Sequence, residues 1–410
     1  MSDKVLMKGN EAIAEAAIRA GCRHYFGYPI TPQTELAAYM SKRMPKIGGV
    51  FLQAESEIAA INMVYGVAGT GKRVMTSSSS PGVSLKQEGI SYIAGSDLPA
   101  LIVNVERGGP GLGGIQPSQS DYFQAVKGGG HGDYHLIVLT PASVQEMADL
   151  TGLAFDLADK YRMPAMLLAD GTTGQMMEPV QLPETEPVTV EKPWAITGTG
   201  MKRKHNIINS LYLQPEELER TNFERFQRYA QVEENEVRYE SFLTEDADIV
   251  VVAFGIAARV SKNAVLAARK AGVRAGLIRP ITVWPFPKKQ LEALSHTAKG
   301  FLSVELSMGQ MIEDVRLSIH DKRPVRLCNR AGGHDPEPGR GARRHSENAG
   351  GGLSYDRIPE TQKPHGRRIP LLPRLHARHH PPPCGGGDRY PRHRGPLHRR
   401  RAGRLRRNGV

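Results

Sequence analysis

A chain of 410 residues has room for two or three domains with cores of their own. Its formal charge of +12 sits at one end: residues 329–410 hold 19 Lys and Arg against 6 Asp and Glu, leaving 35 basic and 36 acidic residues before them. The body is therefore a near-neutral globular protein, and the tail, with 8 of the 14 His and 11 of the 29 Pro, cannot build an apolar core.

The three cysteines, Cys22, Cys328 and Cys384, form no C-x-x-C. That excludes a self-contained iron–sulfur cluster or zinc site and fits a reducing compartment. The opening MSDKVLMKGNEAIAEAAIRAG lacks the apolar core of a secretory signal. No apolar run approaches the roughly 20 residues of a membrane helix. The expectation is a soluble, cytoplasmic chain.

NEAIAEAAIRAG predicts a helix with Asn10 as N-cap and Gly21 as its end. HYFGYPITP reads as a strand and a turn, with Pro32 suited to the first position of the next helix. ESEIAAINMVYGVAG has helical spacing, and RVMTSSSSPG and LIVNVERGG are strands opening into Ser- and Gly-rich loops. SVQEMADLTGLAFDLADKY begins with a capping box, Ser143 to Glu146, and PAMLLADG returns to strand. This βα order predicts an α/β domain with a parallel sheet and functional loops at the strand C-termini.

From about residue 176 to 245 the pattern breaks into a Pro-rich acidic linker and a charged helix, PEELERTNFERFQRYAQVEENEV, expected to be exposed. A second, smaller α/β unit follows, with strands DIVVVAFG, VRAGLIRPIT and FLSVELS and helices VSKNAVLAARKAG and PKKQLEALSHTAKG, ending near Arg326.

GVAGTGK, Gly66 to Lys72, nearly spells a phosphate-binding loop, but Arg73 stands where Ser or Thr would reach magnesium, and a strand follows instead of a helix. A helix-to-strand turn is the better account. ERGGPGLGG, residues 106–114, follows a strand; its glycines permit close backbone approach to a ligand, and Arg107 could clamp a carboxylate bidentately. A solvated Arg in a surface loop is the competing account. Ser77 to Ser80 lack a surrounding G-x-S-x-G turn, which favours hydrogen bonding over nucleophilic catalysis. Glu55 and Glu57 open a helix, where acids suit the macrodipole; one of them could instead bond a cofactor nitrogen, and composition does not choose.

GYPITPQTEL, QAESEIAAINMVYGVAGTGKRVMTSSSSPG, ERGGPGLGGIQPSQSDYFQAVKGGGHGD and RPITVWPFP together resemble the alpha subunit of 2-oxoacid:ferredoxin oxidoreductases, in their 2-oxoisovalerate (3-methyl-2-oxobutanoate) branch. The likeness runs from about Val5 to Gly333. It implies a thiamine diphosphate pyrimidine-binding domain (residues 1–180), with helices on both faces of a parallel sheet. A linker and charged helix (181–245) and a transketolase C-terminal-like α/β domain (246–333) follow. It further implies a beta subunit carrying the diphosphate–magnesium half and a 4Fe–4S cluster, together with gamma and delta ferredoxin-like subunits, ferredoxin, coenzyme A and a 2-oxoacid. The chain lacks a GDG followed by the expected Asn, ADG at 169–171 being a partial echo, so activity is expected only with partner subunits. By the same resemblance Glu57, not Glu55, hydrogen-bonds the aminopyrimidine, Thr31 contacts substrate and Arg107 pairs with its carboxylate. A related 2-oxoglutarate or pyruvate enzyme is the alternative within the class.

The rival class is a nucleic-acid-binding protein using the Arg-rich tail, but the body holds no helix-turn-helix, RNP or zinc signature. The likeness stops after RAGG, residues 330–333. HDPEPGRGARRHSENAGG can be encoded so that a one-base shift reads MIPSPEEV, the ending the resemblance implies. LLPRLHARHHPPP likewise permits YCPGCTHGIIHRL, similar to the start of the beta subunit. Residues 334–410 are therefore expected to be a frameshifted, disordered tail.

Overall fold

The computed structural model describes residues 4–183 and 190–333. The expectations of disorder and of a frameshift fall on residues 334–410, outside the described residues.

The first half alternates short strands and helices. In order they are β1 (Val5–Lys8), α1 (Gly9–Arg19), β2 (His24–Gly27), α2 (Thr34–Arg43), β3 (Val50–Gln53), α3 (Glu57–Gly69), β4 (Val74–Ser78), α4 (Ser80–Gly95) and β5 (Leu101–Glu106). After them come α5 (Tyr122–Val126), β6 (Ile137–Leu139), α6 (Val144–Tyr161), β7 (Ala165–Asp170), α7 (Gly171–Gln175) and β8 (Met177–Val180). The second half comprises α8 (Pro215–Asn235), β9 (Tyr239–Phe242), β10 (Ile249–Val252), α9 (Gly255–Lys270), β11 (Ala275–Pro280), β12 (Thr282–Trp284), α10 (Lys288–Thr297), β13 (Gly300–Glu305), α11 (Met311–Ile319) and β14 (Val325–Asn329).

Two twisted sheets organise these elements. The first has the order β12-β6-β7-β5-β4-β2-β3 and is parallel apart from β12. Its central strands β4, β5 and β7 are buried along their whole length, as expected of parallel strands covered on both faces. The second sheet, β14-β13-β10-β11-β9, is parallel except for β9. β1 and β8 form a separate antiparallel ribbon. The two expected α/β units are thus present.

Several local expectations are corrected. Asn10 lies buried in the first turn of α1 and does not cap it; its amide donates to the Pro32 carbonyl at 2.8 Å and to Glu35 at 3.0 Å. Lys8 takes the N-cap place. Pro32 precedes α2 by two residues and serves as that acceptor, so it does not start the helix. The strand β4 does not open into a loop: α4 begins at Ser80, directly after Ser79. Half of the capping box exists, since Ser143 accepts the Glu146 N–H, but the Glu146 carboxylate accepts from the Ala142 N–H and is drawn to Arg279.

In the second unit α9 starts five residues earlier than VSKNAVLAARKAG suggests, at Gly255. α11 and β12 were not expected, and the unit runs past Arg326 to Asn329. RPITVWPFP divides between the sheets: β11 belongs to the second, while β12 adds an antiparallel edge strand to the first. Arg279 in this stretch is buried and pairs bidentately with Glu146 of α6, at 2.7 and 2.8 Å, and with Glu240 of β9 at 3.0 Å. The stretch is therefore a clasp between the units. α8, largely exposed, still buries Arg225, Tyr229 and Val232, with Arg225 donating to Asp97 and to the Gly95 carbonyl.

Candidate active site

β2, β4 and β5 run parallel, so their C-terminal ends share one edge of the first sheet. The first turn of α4 stands there. Pro81 suits that turn because its missing N–H would be unpaired in any case. The Ser80 N–H donates to Asn104 Oδ1 at 3.0 Å, and the Ser80 hydroxyl donates to Asp121 at 2.6 Å while accepting the Arg107 N–H at 3.0 Å. One serine thus ties the end of β5 to the start of α4.

Two glycines let α4 lie against α3. A Cβ on Gly89 would stand 2.5 Å from Ile61 Cγ2. A Cβ on Gly82 would stand 2.1 Å from Ser78 Oγ and 2.7 Å from Glu57 Oε1. Glu57 and Ile61 are one turn apart on α3, so the two contacts lie along one helix–helix seam.

Glu57 is the first residue of α3, behind the N-cap Ser56, whose hydroxyl accepts the Ala59 N–H at 3.1 Å. It is 6% exposed, whereas Glu55 is exposed and outside the helix. Within the described residues nothing donates a hydrogen bond to its carboxylate. The nearby Ser78 and Ser79 hydroxyls are buried without partners. Lys86, one turn beyond Gly82, is fully buried, and its ammonium donates to Thr76 Oγ1 at 2.9 Å. Burial pulls Lys86 down to about 8, with the Glu57 charge acting in the opposite sense.

Arg107 follows β5 directly and is buried. Its Nη1 donates to the Thr31 carbonyl at 3.0 Å and its Nη2 to the Leu112 carbonyl at 3.2 Å. Its Nε is buried without a partner. Thr31 is exposed, in the turn after β2. The structure therefore joins Thr31 to Arg107, and Glu57 approaches the same turn of α4 at Gly82.

The Gly-rich loop is exposed from Gly109 to Gln116 but bonded back on itself beside the buried Arg107. The Gly114 N–H closes on the Gly108 carbonyl at 2.9 Å, and a Cβ on Gly113, at φ 59°, would fall 1.8 Å from that oxygen. Farther along, Gln119 docks on the second unit through the Phe254 carbonyl (2.9 Å) and the Leu306 N–H (3.1 Å).

GVAGTGK is a helix-to-strand turn: α3 ends at Gly69, Gly71 has φ 78°, and β4 starts at Val74. Arg73 pairs with Asp159 and Asp156. Ser77 and Ser80 serve hydrogen bonding, Ser77 with Tyr25 and Gln33.

Sequence reasoning missed Lys86, Gly82 and three acids, Glu106 and Asp170 at strand ends and Asp121 just before α5. Burial, reinforced by Asp121 and Asp170, pushes Glu106 well above the usual carboxylate range; burial raises Asp121 and Asp170 too. Asp170 caps α7 through the Thr173 N–H and hydroxyl, both at 2.9 Å, so ADG is a structural cap. Its D-x-x-T spacing could have revealed that; nothing in the sequence marks Asp121. Two clefts flank the junction of the units, about 270 Å³ beside Glu146 and Arg259 and about 370 Å³ beside His135 and Trp284. Neither is lined by Thr31, Glu57 or Arg107. Among the described residues there is no cluster able to hold a metal ion.

Two α/β units with largely parallel sheets follow in this order, and the family comparisons place the chain in the thiamine diphosphate-binding class of oxidoreductase subunits. The chain belongs to the pyruvate flavodoxin/ferredoxin oxidoreductase thiamine diphosphate-binding family, whose model matches residues 15–241, and the pyruvate:ferredoxin oxidoreductase core domain II matches residues 247–340. It is a subunit of a 2-oxoacid:ferredoxin oxidoreductase. It is 54% identical over 332 residues to ketoisovalerate oxidoreductase subunit VorB of Methanothermobacter marburgensis, covering 80% of this chain and 93% of that one. It is 36% identical over 368 residues to 2-oxoglutarate synthase subunit KorA of Methanothermobacter thermautotrophicus, covering 82% and 97%. Among solved structures it resembles a 2-oxoglutarate:ferredoxin oxidoreductase from Magnetococcus marinus, with TM-score 0.72 and 28% identity, over 81% of this chain and 63% of that one. Within the described residues no helix is long and apolar enough to cross a membrane.

Proposed function

We propose that the chain is the alpha subunit of an enzyme that oxidises a branched-chain 2-oxoacid. A 2-oxoacid and coenzyme A give acyl-coenzyme A and CO2, and the two electrons pass singly to two ferredoxins. The observation that carries this reading is the convergence on one helix turn. Glu57 meets Gly82 in the first turn of α4, and Ser80 of that turn holds Arg107, which holds Thr31.

The residues fit thiamine diphosphate. A buried carboxylate without a hydrogen-bond donor, beside two orphaned buried hydroxyls and a glycine whose Cβ would fill the space, suits a ring that brings its own donors. Thiamine diphosphate supplies the electron sink for loss of CO2. Glu57 would hydrogen-bond a ring nitrogen of its aminopyrimidine and hold a proton there. Arg107 would pair its uncommitted donors with the oxoacid carboxylate, and Thr31 would contact the same substrate and orient it.

A beta subunit would supply the diphosphate–magnesium half and a 4Fe–4S cluster, and ferredoxin-like gamma and delta subunits would carry electrons onward. The pyrimidine-binding domain is assigned to residues 1–180, the linker and charged helix to 181–245 and the second domain to 246–333. Greater identity to the ketoisovalerate subunit than to the 2-oxoglutarate subunit, 54% against 36%, favours the branched substrate. The test is ferredoxin reduction by the co-expressed subunits with a panel of 2-oxoacids and coenzyme A. The highest kcat/KM is expected for 2-oxoisovalerate; a preference for 2-oxoglutarate would replace the substrate assignment, and no turnover of any 2-oxoacid would overturn the reading.

A further inference from the structure

β13 and β14 are parallel neighbours, so their C-terminal ends share one edge of the second sheet. The Arg330 N–H ties the two ends together through the Glu305 carbonyl at 3.1 Å. Two points on this edge grip the segment that follows Arg107. Leu306, after β13, accepts the Gln119 N–H at 2.9 Å and donates to Gln119 Oε1 at 3.1 Å. Gly332 and Gly333, after β14, lie against the Gly-rich loop. A Cβ on Gly333 would stand 2.2 Å from Gln116 Cβ, and one on Gly108 would stand 3.7 Å from Gly332 C and Gly333 N. Gly108 and Gln116 are themselves paired, the Gly108 N–H donating to the Gln116 carbonyl at 2.8 Å.

The loop closed by this pair holds the arginine, because its Leu112 carbonyl accepts Arg107 Nη2 at 3.2 Å. The Leu112 residue is 83% exposed. Its carbonyl therefore takes its place from the loop closures, Gly108 with Gln116 and Gly114 with Gly108, and not from packing of its own side chain.

We propose that Gly333 is a positioning residue for Arg107: the second unit seats the Gly-rich loop through Gly333, and the loop aims the guanidinium at the carboxylate of the 2-oxoacid. The inference rests on the reading of Arg107 as the carboxylate clamp. Gly333 itself touches neither substrate nor cofactor in this account. Its φ of 83° suits glycine, and the Gln116 Cβ occupies the place a methyl would need. A Cβ is fixed to its backbone and cannot swing aside, so a collision there moves the loop.

The assembled enzyme is assayed by ferredoxin reduction with 2-oxoisovalerate and coenzyme A varied in turn. Gly333→Ala is expected to raise KM for the oxoacid by about three- to tenfold, the worth of one intramolecular hydrogen bond. KM for coenzyme A should stay in place. Gly332→Ala controls for backbone strain: its φ is 71°, but nothing lies within 4 Å of the added Cβ, so both KM values should hold. Gln116→Gly opens the same contact from the loop side and should raise the oxoacid KM too, whereas Gln116→Ala keeps the Cβ and should match wild type. Gly333→Ala combined with Gln116→Gly restores one methyl-sized contact and should bring that KM back toward wild type.

A merely structural glycine would lower the active fraction, and with it the apparent kcat, leaving both KM values unmoved. That result overturns the proposal, as does an equal rise for both substrates or from Gly332→Ala. Arg107→Ala keeps the two failures apart. If it leaves the oxoacid KM in place, the reading of Arg107 falls; if it raises that KM and Gly333→Ala does not, only the role of Gly333 falls. Should Gly333→Ala not assemble, Gln116→Gly decides: a rise confined to the oxoacid KM supports the proposal, and an unmoved KM overturns it.

Discussion

Arg107 and Thr31 lie 76 residues apart in sequence and are joined by a 3.0 Å hydrogen bond from the Arg107 guanidinium to the Thr31 carbonyl. The bond presents the turn after β2 and one buried cation as a unit. It also leaves the Arg107 Nε–H without a partner, a costly state for a buried donor that an anionic ligand could relieve.

Arg107→Ala should therefore raise KM for the 2-oxoacid by about 10- to 100-fold, the worth of a charge-assisted hydrogen bond. KM for coenzyme A should stay near the wild-type value. Steady-state kinetics with each substrate varied in turn checks this, and equal effects on both would argue against a carboxylate clamp.

Gly82→Ala should separate activity from stability. The added methyl meets Ser78 Oγ and Glu57 Oε1, both tips of side chains that can move aside. The fold should lose only about 1–2 kcal/mol, while displacement of the Glu57 carboxylate should cut kcat/KM by about tenfold or more. A denaturation midpoint and an activity measurement on the same preparation decide it. An active Gly82→Ala enzyme would show that Glu57 need not stand where it does.

Lys86 predicts an alkaline signature. Its folded value of about 8 lies below the ordinary 10.5, so between those values the unfolded chain binds the proton that the folded chain has released. Stability from this residue therefore rises with pH across that window, and the burial penalty is fully present below about 8. The stability of wild type minus that of Lys86→Met should climb by up to about 3 kcal/mol from pH 8 to 10.5. Reversible denaturation at several pH values reads it; a flat difference would mean that Lys86 titrates as an ordinary lysine.

Arg279→Met should weaken the clasp between the units. It takes the guanidinium from Glu146, which keeps the Ala142 N–H, and from Glu240, which keeps Lys262; both carboxylates are partly exposed, so the loss should be about 1–3 kcal/mol, the worth of charge-assisted hydrogen bonds. The thermal midpoint should fall, and Glu146→Gln should fall less because the arginine keeps Glu240. Equal midpoints for wild type and Arg279→Met would contradict the clasp.

Much of this was legible in the residues. The βα alternation gave β2, β4, β5 and β7 of the first sheet and β10, β11 and β13 of the second, and family motifs singled out Glu57, Thr31 and Arg107, of which Thr31 and Arg107 are hydrogen-bonded to each other. What escaped has physical causes. α4 carries Gly82, Gly89 and Gly95, which depress helix propensity and hid the helix, although two of them are what allow α3 to approach. Lys86 reads as a surface residue because buried lysines are rare. β12 was invisible because its partner, β6, lies more than 140 residues earlier, and long-range pairing leaves no local pattern. Asn10 and Glu146 looked like caps by spacing, but tertiary partners claimed their side chains.

The most direct test of the account is Glu57→Gln in the assembled enzyme, measured by single-turnover ferredoxin reduction with 2-oxoacid and coenzyme A. The amide keeps the size of the side chain and removes its ability to hold the proton, so the subunits should assemble normally. The rate should fall by about 100-fold or more, the usual worth of a positioned acid–base group. Near-normal turnover by a correctly assembled Glu57→Gln enzyme would contradict the central claim that this carboxylate serves the cofactor.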